Sequence, residues 1–182
     1  MGSKKGKIQE AIDEKLLDER KVFLWGMVDD GSAKHVIDRL LYLEMQNHKE
    51  IQLYINSPGG YVTSGFAIYD TIRSLKSPVS TICSGLAASM GSILLSAGKK
   101  GRRFIQPHAQ VMIHQPSGGA RGQASNIEIQ AKEIIKTREL SARILAENCG
   151  QDPEKVMKDF DRDFWMNAEE SIAYGIVDGI LE

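Results

Sequence analysis

Short runs of β-branched and aromatic residues alternate along this chain with segments whose apolar residues recur at helical spacing, and that alternation limits its fold more than any other feature. Residues 22–25 (VFLW), 51–55 (IQLYI), 79–83 (VSTIC) and 111–114 (VMIH) read as strands bounded by turn residues. Between the first two, Val36, Ile37, Leu40, Leu41 and Met45 share a helical face; after the second, Ile68, Ile72 and Leu75 do the same. Interleaved strands and helices predict an α/β fold. A chain of 182 residues can bury one sizeable core, and no linker, repeat or low-complexity tract divides it, so one domain over residues 1–182 is expected. Asp152 before Pro153 predicts a helix start, "NAEE" from Asn167 places Glu170 at a capping-box position, and Gly175 predicts the end of that second helix. A helical pattern over residues 123–147 spaces Glu128 from Lys132 and Glu139 from Arg143 at i,i+4. It is long for so small a domain, and a projecting helix implies a partner subunit to pack on.

A formal net charge of −1 with 26% charged residues gives no electrostatic footprint for nucleic acid or an anionic membrane. Cys83 and Cys149 stand far apart, without C-x-x-C spacing or a histidine cluster, so neither a metal site nor a disulfide framework is expected. Reduced thiols fit a cytoplasmic location. The N-terminus is polar, helical in pattern and without an apolar signal core, and no run approaches the roughly 18 apolar residues of a membrane span. No phosphate-cradling glycine loop occurs, so no cofactor is expected and any nucleotide belongs to a partner.

The stretch "GLAASMG", residues 85–91, nearly fits the strand-turn-helix nucleophile elbow, with Ala87 in place of the first glycine. Ser89 would then stand at a helix N-terminus, with the Met90 N–H free to meet an oxyanion. A serine hydroxyl is a poor nucleophile by itself, so this reading displaces a plain packed corner only if a base and an acid accompany it. "INSPGGYV", residues 55–62, ends a strand in a glycine pair that can turn its amides toward a ligand. Of the four histidines, His35 and His48 sit among charged residues and His108 follows Pro107 in a polar turn, whereas His114 ends an apolar strand beside Pro116 and a glycine pair. That makes His114 the better general-base candidate. The acid candidates Asp159, Asp161 and Asp163 cluster in "DFDRDFW", and spacing alone does not choose among them. The order serine, histidine, acid differs from that of α/β-hydrolases.

"YINSPGG", "GLAASMG", "VMIHQPSGG", "GQASNIEI" and "AYGIVDGIL", in that order, make residues 16–181 resemble the proteolytic subunit of the Clp protease. The resemblance implies an ATP-dependent serine endopeptidase of crotonase-like fold, a ββα superhelix with a handle region over about residues 115–147 whose projecting handle helix starts at Gln123. It implies two stacked seven-membered rings around a chamber, an AAA+ unfoldase partner and unfolded polypeptide substrates. Motif by motif, it makes Ser89 the nucleophile, His114 the base and Asp163 the acid, with the backbone amides of Gly60 and Met90 as the oxyanion hole. Extended segments around Gly60 and Val62, and around Ser117 and Gly119, resemble edges that hold substrate main chain as an added strand. Asp161 and Arg162 resemble the ring-ring contact.

Residues 1–13 diverge from that pattern and lack its usual aromatic residues. At the positions resembling the pocket for the ATPase's apolar loops, Tyr54, Ile82, Phe104 and Leu181 are apolar, but Ser74, Ser84 and Gln106 are polar. Weak docking and a mixed particle with a paralogous ring are therefore expected. Two other readings stay open. A coenzyme A-binding hydratase of the same fold class would have no use for serine, histidine and aspartate together. A catalytically weak or structural ring subunit of a mixed Clp complex would keep them without using them fully.

Overall fold

The computed structural model describes residues 4–117, 119 and 121–181, so the middle of the expected edge at residues 117–119 lies outside the described residues. Helix α1 (Lys4–Asp18) leads into β1 (Lys21–Trp25), α2 (Asp30–Gln46), β2 (Ile51–Ser57), α3 (Val62–Ser74) and β3 (Val79–Ala88). Then follow α4 (Met90–Ser96), β4 (Arg103–Ile105), β5 (Gln110–Ile113), α5 (Ala124–Cys149), α6 (Pro153–Asp159), β6 (Phe164–Met166), α7 (Ala168–Tyr174) and β7 (Gly179–Ile180). The result is a mixed α/β structure around one sheet. Strands β1, β2, β3, β4 and β7 lie side by side in parallel; β5 pairs with β3 in parallel, and β6 pairs with β5 antiparallel.

Period-two alternation builds the two faces of this sheet. On β2, Ile51, Leu53 and Ile55 are fully buried in the core beneath α2 and α3 residues such as Leu40 and Ile68. Tyr54 points to the other face, where Phe23 of β1 stacks on it at 5.1 Å. Each fully buried aliphatic side chain contributes about 1.5–3 kcal/mol, so register is strongly specified on the core face. The strands expected from the sequence are present, but β3 continues through Ala88, and β4, β6 and β7 were not foreseen. These three span only two or three residues each, too short for any period to show.

Strand β3 changes partner along its length. Thr81, Ile82 and Cys83 pair with β4, whereas Leu86, Ala87 and Ala88 pair with β5. Gly85 lies at the change with φ +92, a conformation that an L side chain rarely adopts. The sheet branches there, and the C-terminal end of β3, the end at which parallel α/β sheets present functional groups, leads into the turn at Ser89.

The caps follow their sequence signals. Asp152 accepts from the N–H of Glu154, Asn167 and Glu170 form a reciprocal box, and Gly175 ends α7 in the left-handed conformation. Helix α5 buries only Ser141, Ala142, Leu145, Ala146 and Cys149, so about its first four turns face solvent and expose Ile127, Ile129 and Ile135. Glu128 pairs with Lys132 at 2.7 Å; Glu139 and Arg143 make no ion pair among the described residues. No described helix is long and apolar enough to cross a membrane.

Polar clamps fasten the end of α2. The buried Arg20 guanidinium donates to the carbonyls of Leu43, Asn47, Lys49 and Glu50. Glu44 accepts from the backbone N–H of Lys76 at 3.1 Å and of Ser77 at 3.0 Å, joining α2 to the turn before β3. Hydrogen bonding from Ser77 outweighs burial and, with Lys76 and His48, pulls the Glu44 carboxyl down to about 2. A depressed carboxyl pKa stabilises the fold above the ordinary value near 4.5, and that contribution is lost as pH falls toward 2. Glu44→Gln should therefore flatten the decline of stability between about pH 4.5 and 2, measured by chemical denaturation at a series of pH values. An unchanged slope would show that Glu44 is not so held.

Candidate active site

Ser89 follows the last residue of β3 and caps α4 with φ 55 and ψ −121, an uncommon conformation for a residue with a side chain. Several contacts hold it there. The Ser89 N–H donates to the Met112 carbonyl at 2.8 Å, and its own carbonyl accepts from the Ser92 N–H at 3.0 Å and the Ser92 hydroxyl at 2.6 Å. All seven residues of α4 are buried, so the helix that Ser89 starts cannot shift easily. The turn leaves Ser89 partly exposed beyond the end of β3.

His114 leaves the end of β5 on the neighbouring track, and its Nε2 is 2.8 Å from Ser89 Oγ. Its Nδ1 is 3.1 Å from Asp163 Oδ1, on the segment entering β6. The antiparallel pairing of β5 with β6 aligns Ile113 with Phe164, and so puts the residues flanking that pair, His114 and Asp163, opposite each other. The other two acids of the run go elsewhere. Asp159 pairs with Lys155 at 2.8 Å, and Asp161 lies 3.7 Å from Arg138 of α5. Gln115, unremarkable in the sequence, ties the two segments together: its N–H donates to the Phe160 carbonyl at 2.6 Å and its amide donates to the Asp161 carbonyl at 3.0 Å.

Gly60 forms a parallel bridge with Val28, in which the Val28 N–H donates to the Gly59 carbonyl and the Tyr61 N–H donates to the Val28 carbonyl. That pattern turns the Gly60 N–H away from Val28. Neither it nor the Met90 N–H has an acceptor among the described residues. Gly59 presses on the serine turn itself, since a Cβ there would lie 2.6 Å from Ser89 Cβ and 2.8 Å from the Ala88 carbonyl. Val62, expected in an extended edge, instead begins α3, so extended backbone at this edge ends at Tyr61. Ser117 lines a cavity of about 700 Å³ with His114, Pro116, Ile134, Arg162 and Asp163; Gly119 lies just beyond, exposed.

The remaining candidates fall in two places. The Arg162 side chain is 94% exposed, beside Asp161. Tyr54, Ile82 and Phe104 stand in register across β2, β3 and β4 on the sheet face away from the core. Ser84 follows on that face, buried with no partner for its hydroxyl among the described residues, while Gln106 and Leu181 line a cavity of about 410 Å³ nearby. Ser74 is on a different element, at the exposed end of α3, its hydroxyl donating to the Thr71 carbonyl.

Six residues before Ser89 on the same strand, the Cys83 thiol is pushed up to about 12 by burial, which leaves no thiolate to act as nucleophile. Burial does the same to Cys149. No group of three or more metal-ligating side chains lies together among the described residues. A hydroxyl in line with an imidazole and a carboxylate, next to two free amides, is suited to nucleophilic attack on a carbonyl with the developing anion held by backbone donors.

A family model described as Clp protease matches residues 4–182. The close approach of Gly59 to the serine turn is testable. With φ +91 and backbone atoms under 3.0 Å away, Gly59→Ala must displace the loop that carries Gly60. Labelling of Ser89 by a fluorophosphonate should slow by about a hundredfold or more, as expected when an oxyanion donor is lost. Labelling at the parent rate would mean the loop does not govern Ser89.

Proposed function

The chain belongs to the Clp protease family, and on that premise we propose that it is the proteolytic subunit of an ATP-dependent serine endopeptidase acting on unfolded polypeptides. What supports the reading most directly is the continuous run from Ser89 Oγ through His114 to Asp163, at 2.8 and 3.1 Å. In the proposed mechanism His114 Nε2 takes the serine proton as Oγ attacks the peptide carbonyl. Asp163 holds the tautomer with the proton on Nδ1 and stabilises the imidazolium that forms. The amides of Gly60 and Met90 receive the oxyanion, and His114 returns the proton to the leaving amine. Water, activated by the same imidazole, then releases the acyl group. The chain needs no cofactor of its own for these steps, and ATP is used by a partner unfoldase. Substrate main chain is held as an added strand between the edge at Gly60 and the segment carrying Ser117 and Gly119, which suits an enzyme that cuts many sequences.

The particle we propose is two stacked seven-membered rings, of this chain alone or with a paralogous ring. The exposed turns of α5 act as the handle between rings, and Asp161 and Arg162 make the ring-ring contact. A crotonase-like superhelix and a cytoplasmic location belong to the same reading. One observation favours a weaker variant of it: the Asp163 side chain is 60% exposed in the single chain. Its alignment would then be completed only by assembly, through Asp161 and Arg162 next to it.

Ser89→Ala tests the chemistry. Hydrolysis of small peptides should fall at least about a thousandfold with the sedimentation of the particle unchanged, because only a hydroxyl is lost. Hydrolysis at the parent rate would overturn the mechanism.

Weak unfoldase docking is proposed from Ser74, Ser84 and Gln106. Each forfeits part of the roughly 1.5–3 kcal/mol that a fully buried apolar side chain contributes, and losses multiply when several loops bind one ring. Ser74→Phe, Ser84→Met and Gln106→Leu together should raise affinity for the cognate unfoldase at least about tenfold, measured by light scattering or interferometry. Tight binding to the parent ring with no gain on substitution would sink the proposal.

A further inference from the structure

A second concavity lies far from Ser89 in the chain, between α1, β1 and the first half of α2. It encloses about 360 Å³, within the range of small-molecule sites. One wall is apolar, made by Leu16, Leu17, Phe23 and Trp25; the Trp25 ring remains 57% exposed. Lys21 extends from the same face of β1 as Phe23 and Trp25, His35 and Arg39 come from α2, and Asp13 and Gln9 from α1.

The polar groups of this lining are mostly donors. Arg39 Nη1 donates to His35 Nδ1 at 2.9 Å, and since an arginine has no acceptor to offer, Nδ1 is the acceptor and a neutral His35 carries its proton on Nε2. Burial, with Arg39 beside it, holds the His35 pKa below its ordinary value, and Asp13 and Asp38 only partly oppose this. Neither Arg39 nor Lys21 makes an ion pair among the described residues. Asp13 is the one carboxylate in the lining, and its Oδ1 already accepts from Gln9 Nε2 at 2.8 Å. Asp38, one residue before Arg39, is held by Lys34 at 2.7 Å. Two cations and one anion leave a lining that is net positive beside its apolar residues.

We propose that this cavity binds a small organic carboxylate carried on an apolar body, its anionic end on Arg39 and Lys21 and its body against Leu16, Leu17, Phe23 and Trp25. Arginine matches a carboxylate with two parallel N–H donors, and its guanidinium is only partly occupied by His35. A free aliphatic acid and the C-terminus of a short peptide both have this chemistry. The inference stands independently of the triad, and its failure would leave the peptidase reading untouched.

The sequence has two tryptophans, Trp25 and Trp165, so Trp165→Phe leaves Trp25 as the sole reporter. In that background, octanoate and an N-acetylated tripeptide ending in leucine acid are titrated against fluorescence, each beside its neutral amide, with inorganic phosphate as the bare anion. Saturable binding of either acid, with its amide about tenfold weaker or worse, supports the proposal, and whichever acid binds identifies the source. Arg39→Gln should weaken the acid by about tenfold and leave the amide unaffected, with the thermal unfolding midpoint unchanged. Equal binding of acid and amide, binding of phosphate as tight as either acid, or no saturable response to either acid overturns it. The comparison of acid with amide needs no variant at Arg39 and holds even if that substitution fails to fold.

Discussion

The backbone of Ser89 is the constraint on which the site depends. A residue with a side chain at positive φ is unfavourable by about 1–2 kcal/mol, and it persists only where its surroundings determine it. Here the Met112 carbonyl takes its N–H, Ser92 takes its carbonyl twice over, and Gly59 closes on it from the β2 side. Two of these contacts also position neighbouring groups. The bond to Met112 fixes β5 next to β3, which delivers His114. The approach of Gly59 sets the loop that carries Gly60 against the backbone of Ala88, Ser89 and Met90. The strain and the convergence of groups come from one arrangement.

Much of this was legible in the sequence, for reasons that differ by element. The strands β1, β2, β3 and β5 carry enough β-branched residues to declare themselves, and Asp152, Asn167 and Gly175 announce their caps through chemistry confined to a few neighbouring residues. Pairing across the sheet is a different matter. Nothing near Cys83 or Leu86 signals that β3 will leave β4 for β5, because partner choice is decided by packing between residues distant in the chain. The same holds for the carboxylate that reaches His114. Asp159, Asp161 and Asp163 are equivalent in spacing, and what separates them is Lys155 of α6, Arg138 of α5 and the antiparallel pairing of Ile113 with Phe164. Val62 misled for a local reason: an extended segment was expected through it, but α3 starts at that residue. Gln115 gave no signal at all, since its two bonds exist only once residues 160–161 are folded against it.

Two unfavourable features lie along β3 and the turn that follows it, while others lie at Arg20, Arg138, Ser141 and Tyr174. Ser84 keeps a buried hydroxyl without a partner among the described residues, and Ser89 takes φ 55; Gly85 between them takes φ +92, which a glycine adopts without strain. An unmet buried hydroxyl costs about 1–3 kcal/mol, and the backbone conformation of Ser89 adds to it. The same strand carries the means to offset them. Val79 and Cys83 are buried in the core, Ala87 and Ala88 pack tightly between β2 and β5, and α4 is buried at every residue. Ile82 lies on the opposite face of the sheet, in the row with Tyr54 and Phe104. One strand therefore borders both the outer apolar row and the serine turn, with Gly85 as the only glycine between Ser84 and Ser89. A rigid strand would transmit displacement of that row directly to Ser89. Gly85 is where the backbone is freest to absorb it, so the alignment of Ser89 is set mainly by the half of β3 that pairs with β5 and carries the bonds to Met112.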